Sequence, residues 1–361
     1  MKNIIQVITH FDLGGAERVA INIAKSANHK EFKHYIISIQ KTDSEYSETL
    51  KADLEKEGIE YYSSPIKATK LAICLFPFWF IPIYLKIKPN IIHSHTEIPD
   101  VSLFLFRKIA WIFWKIRPKY IRTIHNTQLW NNWKMLGSII EKYYIKNKSN
   151  IAISNSTKTN YENAYHDKQI PIVYNGLEET IQKEFPNINK EKINILFAGR
   201  LEDQKGIKEL ISVFSAFKNN NYFHFYIIGN GSYKNLIKSS FNDYDNVFIF
   251  EKIYGLSQYI GSFDYLFMPS KHEGLALMPI EASLAHTPSI INHCPGLTET
   301  LPPNWPLAVN NNSINEFIKL INQCIDNKNY KILAQKAYLY AKDNFSIERM
   351  QQKYAKIYMK L

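Results

Sequence analysis

The sequence predicts an α/β protein made of two doubly wound parallel domains, and three observations carry that expectation. Short apolar runs of strand length alternate with helix-period segments from the first residues onward, the order that βαβ units and parallel sheets produce. The alternation lapses over a polar stretch at 177–192, which contains Pro186, and restarts at Ile193. At 361 residues the chain also exceeds what one core usually fills. The lapse therefore reads as a linker between a first domain at 1–176 and a second at 193–342, with a terminal helix at 343–361.

Apolar residues make up 45% of the chain and aromatic residues 14%, which excludes a largely disordered protein. Cys74, Cys294 and Cys324 are far apart and form no CxxC pair. Structural thiols in a reducing compartment are the simplest reading. The first residues, Met1-Lys2-Asn3-Ile4-Ile5, enter a strand at once and lack the regions of a signal peptide, so a cytoplasmic location is expected. A formal net charge of +11 favours an acidic partner: nucleic acid, anionic headgroups or a phosphorylated small molecule.

The apolar run at 4–9 leads into His10-Phe11-Asp12-Leu13-Gly14-Gly15-Ala16-Glu17-Arg18, after which Val19, Ala20, Ile23 and Ala24 keep a helical period. Gly14 and Gly15 at the helix start let backbone N–H groups approach an anion. Taken alone the pair is equally a tight turn, and it is not the GxGxxG of a dinucleotide site. Strands follow at 34–39 and 58–62. Ile91-Ile92-His93-Ser94-His95 and Tyr120-Ile121-Arg122-Thr123-Ile124-His125 then deliver His95 and His125 to strand ends, the side where open α/β sheets hold ligands. No further Cys or His is spaced to complete a zinc site. Ile151-Ala152-Ile153-Ser154 is a short strand with Ser154 or Asn155 capping the next helix, and Ile172-Val173-Tyr174-Asn175-Gly176 is another strand with a turn.

Residues 71–85, LAICLFPFWFIPIYL, hold no charge and are flanked by Lys67, Lys70, Lys86 and Lys88. They fall short of the roughly 20 residues that span a bilayer, and Pro77 and Pro82 interrupt them. A buried helix of the first domain and an interfacial segment at a membrane surface both fit. Residues 103–116, LFLFRKIAWIFWKI, repeat the chemistry with Arg107, Lys108 and Lys115, which strengthens the membrane-surface reading.

The second half restarts with Ile193-Asn194-Ile195-Leu196-Phe197-Ala198-Gly199-Arg200. A loop, Leu201-Glu202-Asp203-Gln204-Lys205-Gly206, then precedes a helix marked by Ile207, Leu210, Ile211 and Phe214. Arg200 and Lys205 bracket this loop. Either can bind a phosphate, Arg as a bidentate fork and Lys as a point charge, and either is equally a solvated surface cation. Later strands end at Gly229-Asn230-Gly231-Ser232, at the exit loop 251–254, at 265–269 and at 289–291. The stretch 270–282 sets Glu273 and Glu281 on either side of an uncharged segment and reads as a ligand loop feeding a helix. The tail from Ser313 is helical by period, with Met350, Tyr354, Ile357 and Tyr358 on one face.

Several of these motifs resemble, in joint order and spacing, the retaining glycosyltransferases of family four, the bacterial polysaccharide, O-antigen and capsule type. They are Leu13-Gly14-Gly15-Ala16-Glu17-Arg18, the His95 and His125 loops, Asn175-Gly176, Ala198-Gly199-Arg200-Leu201 with Lys205-Gly206, Gly229-Asn230-Gly231, the Glu273 and Glu281 stretch, and Phe345-Ser346-Ile347-Glu348-Arg349-Met350. The resemblance covers nearly the whole chain. It implies the GT-B architecture: two Rossmann-like domains facing a cleft, with the C-terminal helix returning to the first. It places Arg200 and Lys205 on the diphosphate of a nucleotide sugar and Glu281 on the ribose hydroxyls. Gly229, Gly231 and Ile253 lie about the base; Leu275, Ala276 and Leu277 lie along the donor. Gly14 and Gly15 close against the diphosphate or acceptor, and Glu273 and His125 face the transferred sugar. No divalent metal or other cofactor is expected.

The physics of the reaction agrees with that assignment, because fixed cations in a water-poor site stabilise charge growing on the departing diphosphate. One carboxylate near the anomeric centre favours a same-face retaining mechanism over a two-carboxylate displacement. The expected activity moves a hexose or N-acetylhexosamine from a UDP-sugar to a lipid-linked or surface-polysaccharide acceptor. The enzyme is expected in the cytoplasm, peripheral at the inner face of the membrane. Expected partners are the nucleotide sugar, a lipid-linked oligosaccharide and an anionic membrane surface, with no nucleic acid. A GT-B phosphorylase, a nucleotide-sugar epimerase and a non-catalytic membrane-surface binding protein share these features and stay open. The chain departs from the family pattern at Gly274-Leu275-Ala276, usually Gly-Phe-Gly, and at His272 and Glu251. Ala276 adds a methyl group where backbone approaches the donor, so the donor sugar is left open.

Overall fold

A computed structural model describes residues 1–12, 14–25, 31–113, 118–130, 133–326 and 328–361. Leu13 of the glycine-loop motif and 114–116 of the second aromatic segment lie outside the described residues. The chain divides into two compact units, Met1–Gly176 with Ile347–Leu361, and Leu177–Ser346. Each is built on a parallel sheet of six strands, the α/β architecture expected.

The first unit runs β1 (Lys2–Ile8), α1 (Gly15–Ala24), β2 (Phe32–Ser38), α2 (Glu45–Lys56), β3 (Glu60–Ser63), α3 (Thr69–Ile87), β4 (Ile91–Ser94), α4 (Glu97–Phe113), β5 (Lys119–Ile124), α5 (Lys134–Lys146), β6 (Asn150–Ala152) and α6 (Asn155–Tyr165). Its strand order is β3-β2-β1-β4-β5-β6. The winding direction thus reverses between β1 and β4, the switch point where such sheets hold ligands. Strands covered on both faces need continuous apolar runs. Ile5 and Val7 pack with Phe76, Phe80, Phe106 and Ile140 on one side, while Ile4 packs with Val19, Ile23 and Met350 on the other.

Helix α3 keeps its course through Pro77 and Pro82, although each proline lacks a helical N–H. Packing holds it: Phe80 meets Phe76 at 4.9 Å and Phe106 at 4.7 Å between ring centroids. Its inner face is buried through Ala72, Ile73, Phe76, Phe80, Ile83 and Tyr84, while Leu71, Leu75, Phe78 and Leu85 are exposed along the outer face.

The second unit runs β7 (Ile193–Ala198), α7 (Ile207–Ser215), β8 (Phe223–Ile228), α8 (Lys234–Ser240), β9 (Val247–Phe250), β10 (Tyr265–Met268), α9 (Leu277–Leu284), β11 (Ser289–Asn292), β12 (Ala308–Val309), α10 (Ile314–Gln323) and α11 (Tyr330–Phe345). Its order, β12-β11-β10-β7-β8-β9, puts the reversal between β7 and β10. Three sequence expectations are corrected. Residues 177–192 belong to the second unit: Phe185 is buried against Tyr226, Phe250 and Phe263, and Lys183 N–H donates to the Gln258 carbonyl at 2.6 Å. The stretch 172–176 makes only a single bridge, Ile172 to Ala152. The terminal helix, expected over 343–361, starts later, at Ile347, after a break that separates it from the preceding helix. α11 ends at Phe345, Ser346 is extended (φ −68°, ψ 148°), and α12 (Ile347–Lys360) packs Met350, Tyr354 and Tyr358 into the first unit.

A buried ionic cluster ties the first unit's later elements together. Arg122 on β5 donates to Asn150 Oδ1 at 2.7 Å, to Asp100 Oδ2 at 3.2 Å, to Tyr161 Oη at 3.1 Å and to Glu141. Trp130 Nε1 donates to the other Glu141 oxygen at 2.6 Å. Breaking a buried ion pair from one side leaves an uncompensated charge, and here two carboxylates share the cation. Arg122→Ala is expected to cost about 3–5 kcal/mol, read as a lower denaturant midpoint in an unfolding curve followed by tryptophan fluorescence.

Candidate active site

The loops leaving β7 and β10 are stapled to each other at the sheet's carboxyl edge. Lys271 N–H donates to the Gln204 carbonyl at 2.8 Å, and Gln204 Nε2 donates to the His272 carbonyl at 2.9 Å. Lys271 Nζ reaches both Asp203 oxygens, at 2.8 and 2.9 Å. Close approach demands glycine at two places. Gly206 has φ +69°, and a Cβ there would sit 1.9 Å from the Pro269 carbonyl oxygen; one on Gly229 would sit 1.9 Å from that of Gly199. Leu201 N–H donates to Asn230 at 2.9 Å. Glu202 accepts from Ser232 N–H at 2.9 Å and from its hydroxyl at 2.6 Å, binding the Gly229 to Gly231 loop to the same frame.

Within that frame Lys205 Nζ contacts Glu273 Oε1 at 2.6 Å, with side chains only 13% and 8% exposed. Arg200 is exposed and donates to Gln204 Oε1 at 3.3 Å. Glu281 is half-buried in α9, whose first turn has no side-chain cap at Ala276. The N–H groups of an uncapped helix start and the helix dipole favour an anion. Leu275 and Ala276 are buried, and Leu277 and Ile253 half-buried. Cys294 donates to the Ser270 carbonyl at 3.2 Å; burial pushes its thiol up to about 12, so it stays neutral and is not a nucleophile. The Ser270 hydroxyl, buried beside this contact, has no hydrogen-bond partner among the described residues. The chain's Asp-x-Asp triplet, Asp243-Tyr244-Asp245, precedes β9 and so lies at the sheet's opposite, amino-terminal edge.

In the first unit Gly14 caps α1 and Gly15 begins it. The Glu17 carboxylate folds back over this turn, leaving no room for a Cβ on Gly14 (1.9 Å to Glu17 Oε2), and burial raises its pKa. At the end of β4 His95 is fully buried; at the end of β5 His125 is half-buried. His95 Nδ1 and His125 Nε2 are 3.4 Å apart, and His95 Nε2 is 2.8 Å from Gln6 Oε1. Burial lowers the pKa of His93 and His95 well below the usual value and holds His125 at about 3. Motif reading gave no role to Glu17 and Ser270, which lie inside quoted motifs, and passed over Gln6. Gln6 did leave a signal, as the polar residue inside the apolar run of β1.

Similarity to known proteins identifies the family and the fold. The Glycosyl transferases group 1 family matches residues 178–343, and Glycosyltransferase Family 4 matches 13–180. The chain belongs to the family-4 type of GT-B glycosyltransferases. It is 28% identical over 264 residues to a 41.2 kDa protein of the cps region of Klebsiella pneumoniae, covering 65% of this chain and 69% of that one. It is 25% identical over 294 residues to the Escherichia coli O-antigen biosynthesis glycosyltransferase WclY, covering 75% and 79%. Among solved structures, Anabaena HepE in complex with UDP and glucose superposes with a TM-score of 0.81 at 17% identity, covering 99% of both chains.

The histidine cluster sets a pH dependence. A histidine whose folded pKa lies below its unfolded value near 6.5 is held neutral. Its stabilising contribution is complete above about pH 6.5 and is lost as the pH falls toward the folded value. Asp100, raised by burial from 3.8 to about 6, acts oppositely, losing its contribution as pH rises through that interval. His93, His95 and His125 together outweigh it. The thermal midpoint is expected to fall on acidification from about pH 7 to about pH 5.5, and His95→Gln is expected to flatten that slope in scanning calorimetry.

Proposed function

We propose that the protein is a retaining, metal-independent hexosyltransferase that moves a hexose or N-acetylhexosamine from a UDP-sugar to a lipid-linked or surface-polysaccharide acceptor. The observation that carries the reading is the Lys205–Glu273 pair at the β7/β10 switch point, with Arg200 on the same loop. Bound UDP and glucose in HepE and the O-antigen role of WclY support the donor and acceptor classes.

In this reading Arg200 and Lys205 hold the diphosphate. Glu281 takes the ribose hydroxyls, while Gly229, Gly231 and Ile253 border the base. Gly14 and Gly15 approach the diphosphate or acceptor, and Leu275, Ala276 and Leu277 line the donor. The bond between the sugar C1 and the β-phosphate oxygen breaks as the acceptor oxygen bonds to C1 on the same face. The acceptor's proton passes to the departing phosphate oxygen, and UDP leaves. Arg200 and Lys205 meet the charge that develops on that oxygen. Sugar hydroxyls are assigned to Glu273 and, in the first unit, to His125.

Transfer is followed as UDP release that depends on added acceptor, with chelator present throughout. Arg200→Ala and Glu281→Ala are each expected to lower it about 10²–10³-fold with the fold intact by circular dichroism. Undiminished transfer overturns the site. Sugar transferred to inorganic phosphate identifies a phosphorylase, and an altered donor without transfer identifies an epimerase.

The same reading places the enzyme in the cytoplasm at an anionic membrane surface. Supporting it, Leu71, Leu75, Phe78 and Leu85 form one outward apolar stripe on α3, with Lys70, Lys86 and Lys88 exposed at its ends. Such a surface suits a headgroup boundary. Flotation with vesicles containing phosphatidylglycerol is expected to carry the protein, vesicles of phosphatidylcholine alone to carry less, and Phe78→Ser with Lys70→Glu to abolish the difference.

A further inference from the structure

We infer that Gln6 sets the tautomers of His95 and His125, so that His125 presents an unprotonated Nδ1 to accept a hydrogen bond from a sugar hydroxyl. This rests on the reading of His125 as a sugar-facing residue.

A buried chain of hydrogen bonds in the first unit fixes one proton after another. Gln6 stands in β1, beside His93 of β4 in register, and is fully buried. Its amide nitrogen donates to Tyr358 Oη at 3.0 Å and lies 3.3 Å from His34 Nδ1; its oxygen lies 2.8 Å from His95 Nε2. An amide oxygen only accepts, so the proton of that last bond belongs to His95 Nε2. A neutral imidazole carries a single N–H, which leaves His95 Nδ1 a bare acceptor. The 3.4 Å contact with His125 Nε2 is then a hydrogen bond only if His125 carries its own proton on Nε2. His125 Nδ1 is consequently bare. It is buried and has no hydrogen-bond partner among the described residues, and burial keeps His93, His95 and His125 neutral.

The chain's other arm explains how the amide is oriented. Tyr358 Oη accepts from Gln6 and lies 2.7 Å from His93 Nδ1, where its own O–H finds an acceptor when His93 carries its proton on Nε2. In that tautomer His93 Nε2–H donates to Thr123 Oγ1 at 2.8 Å, and Thr123 Oγ1 lies 2.8 Å from Tyr354 Oη. Tyr358 and Tyr354 both stand on α12. That helix therefore aims Gln6, and Gln6 acts on His125 through His95 as a positioning residue. A buried acceptor without a donor is costly, and a sugar hydroxyl is the donor that relieves it. His125 so placed is a hydrogen-bond acceptor and not a general acid.

The test uses the full chain with 15N-imidazole histidine, assigned from the spectra of His125→Asn and His95→Gln, because bare and protonated ring nitrogens resonate far apart. Both histidines are expected to show a bare Nδ1 and a protonated Nε2. UDP-glucose, UDP-galactose and UDP-N-acetylglucosamine are screened by thermal shift, and the one that most raises the midpoint is expected to move the His125 Nδ1 signal toward the hydrogen-bonded range. Gln6→Met, which removes the acceptor at similar volume, is expected to turn both rings to the Nδ1–H tautomer and raise the donor KM about tenfold, with a smaller change in kcat. A protonated His125 Nδ1 in the wild-type chain overturns the inference, and so do unchanged tautomers in Gln6→Met, whatever the activity. A bare Nδ1 whose signal ignores the bound donor overturns the hydroxyl contact by removing His125 from the sugar, which distinguishes that failure from a failure of the tautomer chain.

Discussion

The second unit's carboxyl edge is organised by the need to keep the Lys205 ammonium against the Glu273 carboxylate at 2.6 Å, with little water on either side chain. Either group buried alone would cost several kcal/mol or give up its charge. The loops that carry them must therefore hold their relative position to a fraction of an ångström. The staples between 203–204 and 271–272 meet that demand: one runs from backbone to backbone, one from the Gln204 side chain to backbone, and the Lys271–Asp203 pair adds a charged link beside them. Gly206 is part of the same requirement, because any Cβ would push the loop off the Pro269 carbonyl. One consequence reaches the ligand. A phosphate that binds Lys205 shares its cation with Glu273, so the position of the anion and that of the carboxylate are set together.

The first unit solves a comparable problem without charge. Around Gln6, His93, His95 and His125 the polar atoms are buried and the imidazoles neutral, so order comes from which atom of each pair holds the proton. Hydrogen-bond direction passes from α12 through the amide to the end of β5. The ionic cluster at Arg122 supports the same strand from beside it, clamping α4, α5, β6 and α6 to the segment that leads to His125. Two different kinds of buried polarity thus converge on one strand end.

Much of this was legible because parallel strands covered on both faces leave unbroken apolar runs, and because caps and glycine turns are local. Ser154, for example, accepts from Thr157 N–H at 2.9 Å as its place before the helix suggested. What escaped was decided by partners distant in sequence. Phe185 sits in a polar stretch that looks like a linker, and its burial depends on Tyr226, Phe250 and Phe263, tens of residues later. The break at Ser346 separates two helices whose apolar faces serve different cores, a distinction that periodicity does not record. The Lys205–Glu273 contact spans 68 residues. Each of its members was singled out, but nothing local says that they touch.

Helix α3 marks the sharpest limit of pattern reading. With apolar residues all round, its sequence contains no polar face from which to orient it, and a core helix and a surface-seeking helix look the same. The fold separates the two roles by position around the axis. The inner stripe of Ala72, Ile73, Phe76, Phe80 and Ile83 is what the sheet requires, and it is complete without Leu71, Leu75, Phe78 and Leu85. The outer stripe does nothing for the core and keeps apolar surface in water, where polar side chains would serve a soluble fold better. Its position between exposed lysines at both ends ties that apolar surface to a positive rim. Helix length does not separate the possible settings of that outer face, since Thr69–Ile87 spans 19 residues and is apolar enough to cross a membrane; what sets this helix apart is that one of its stripes is already packed into the core of the first unit.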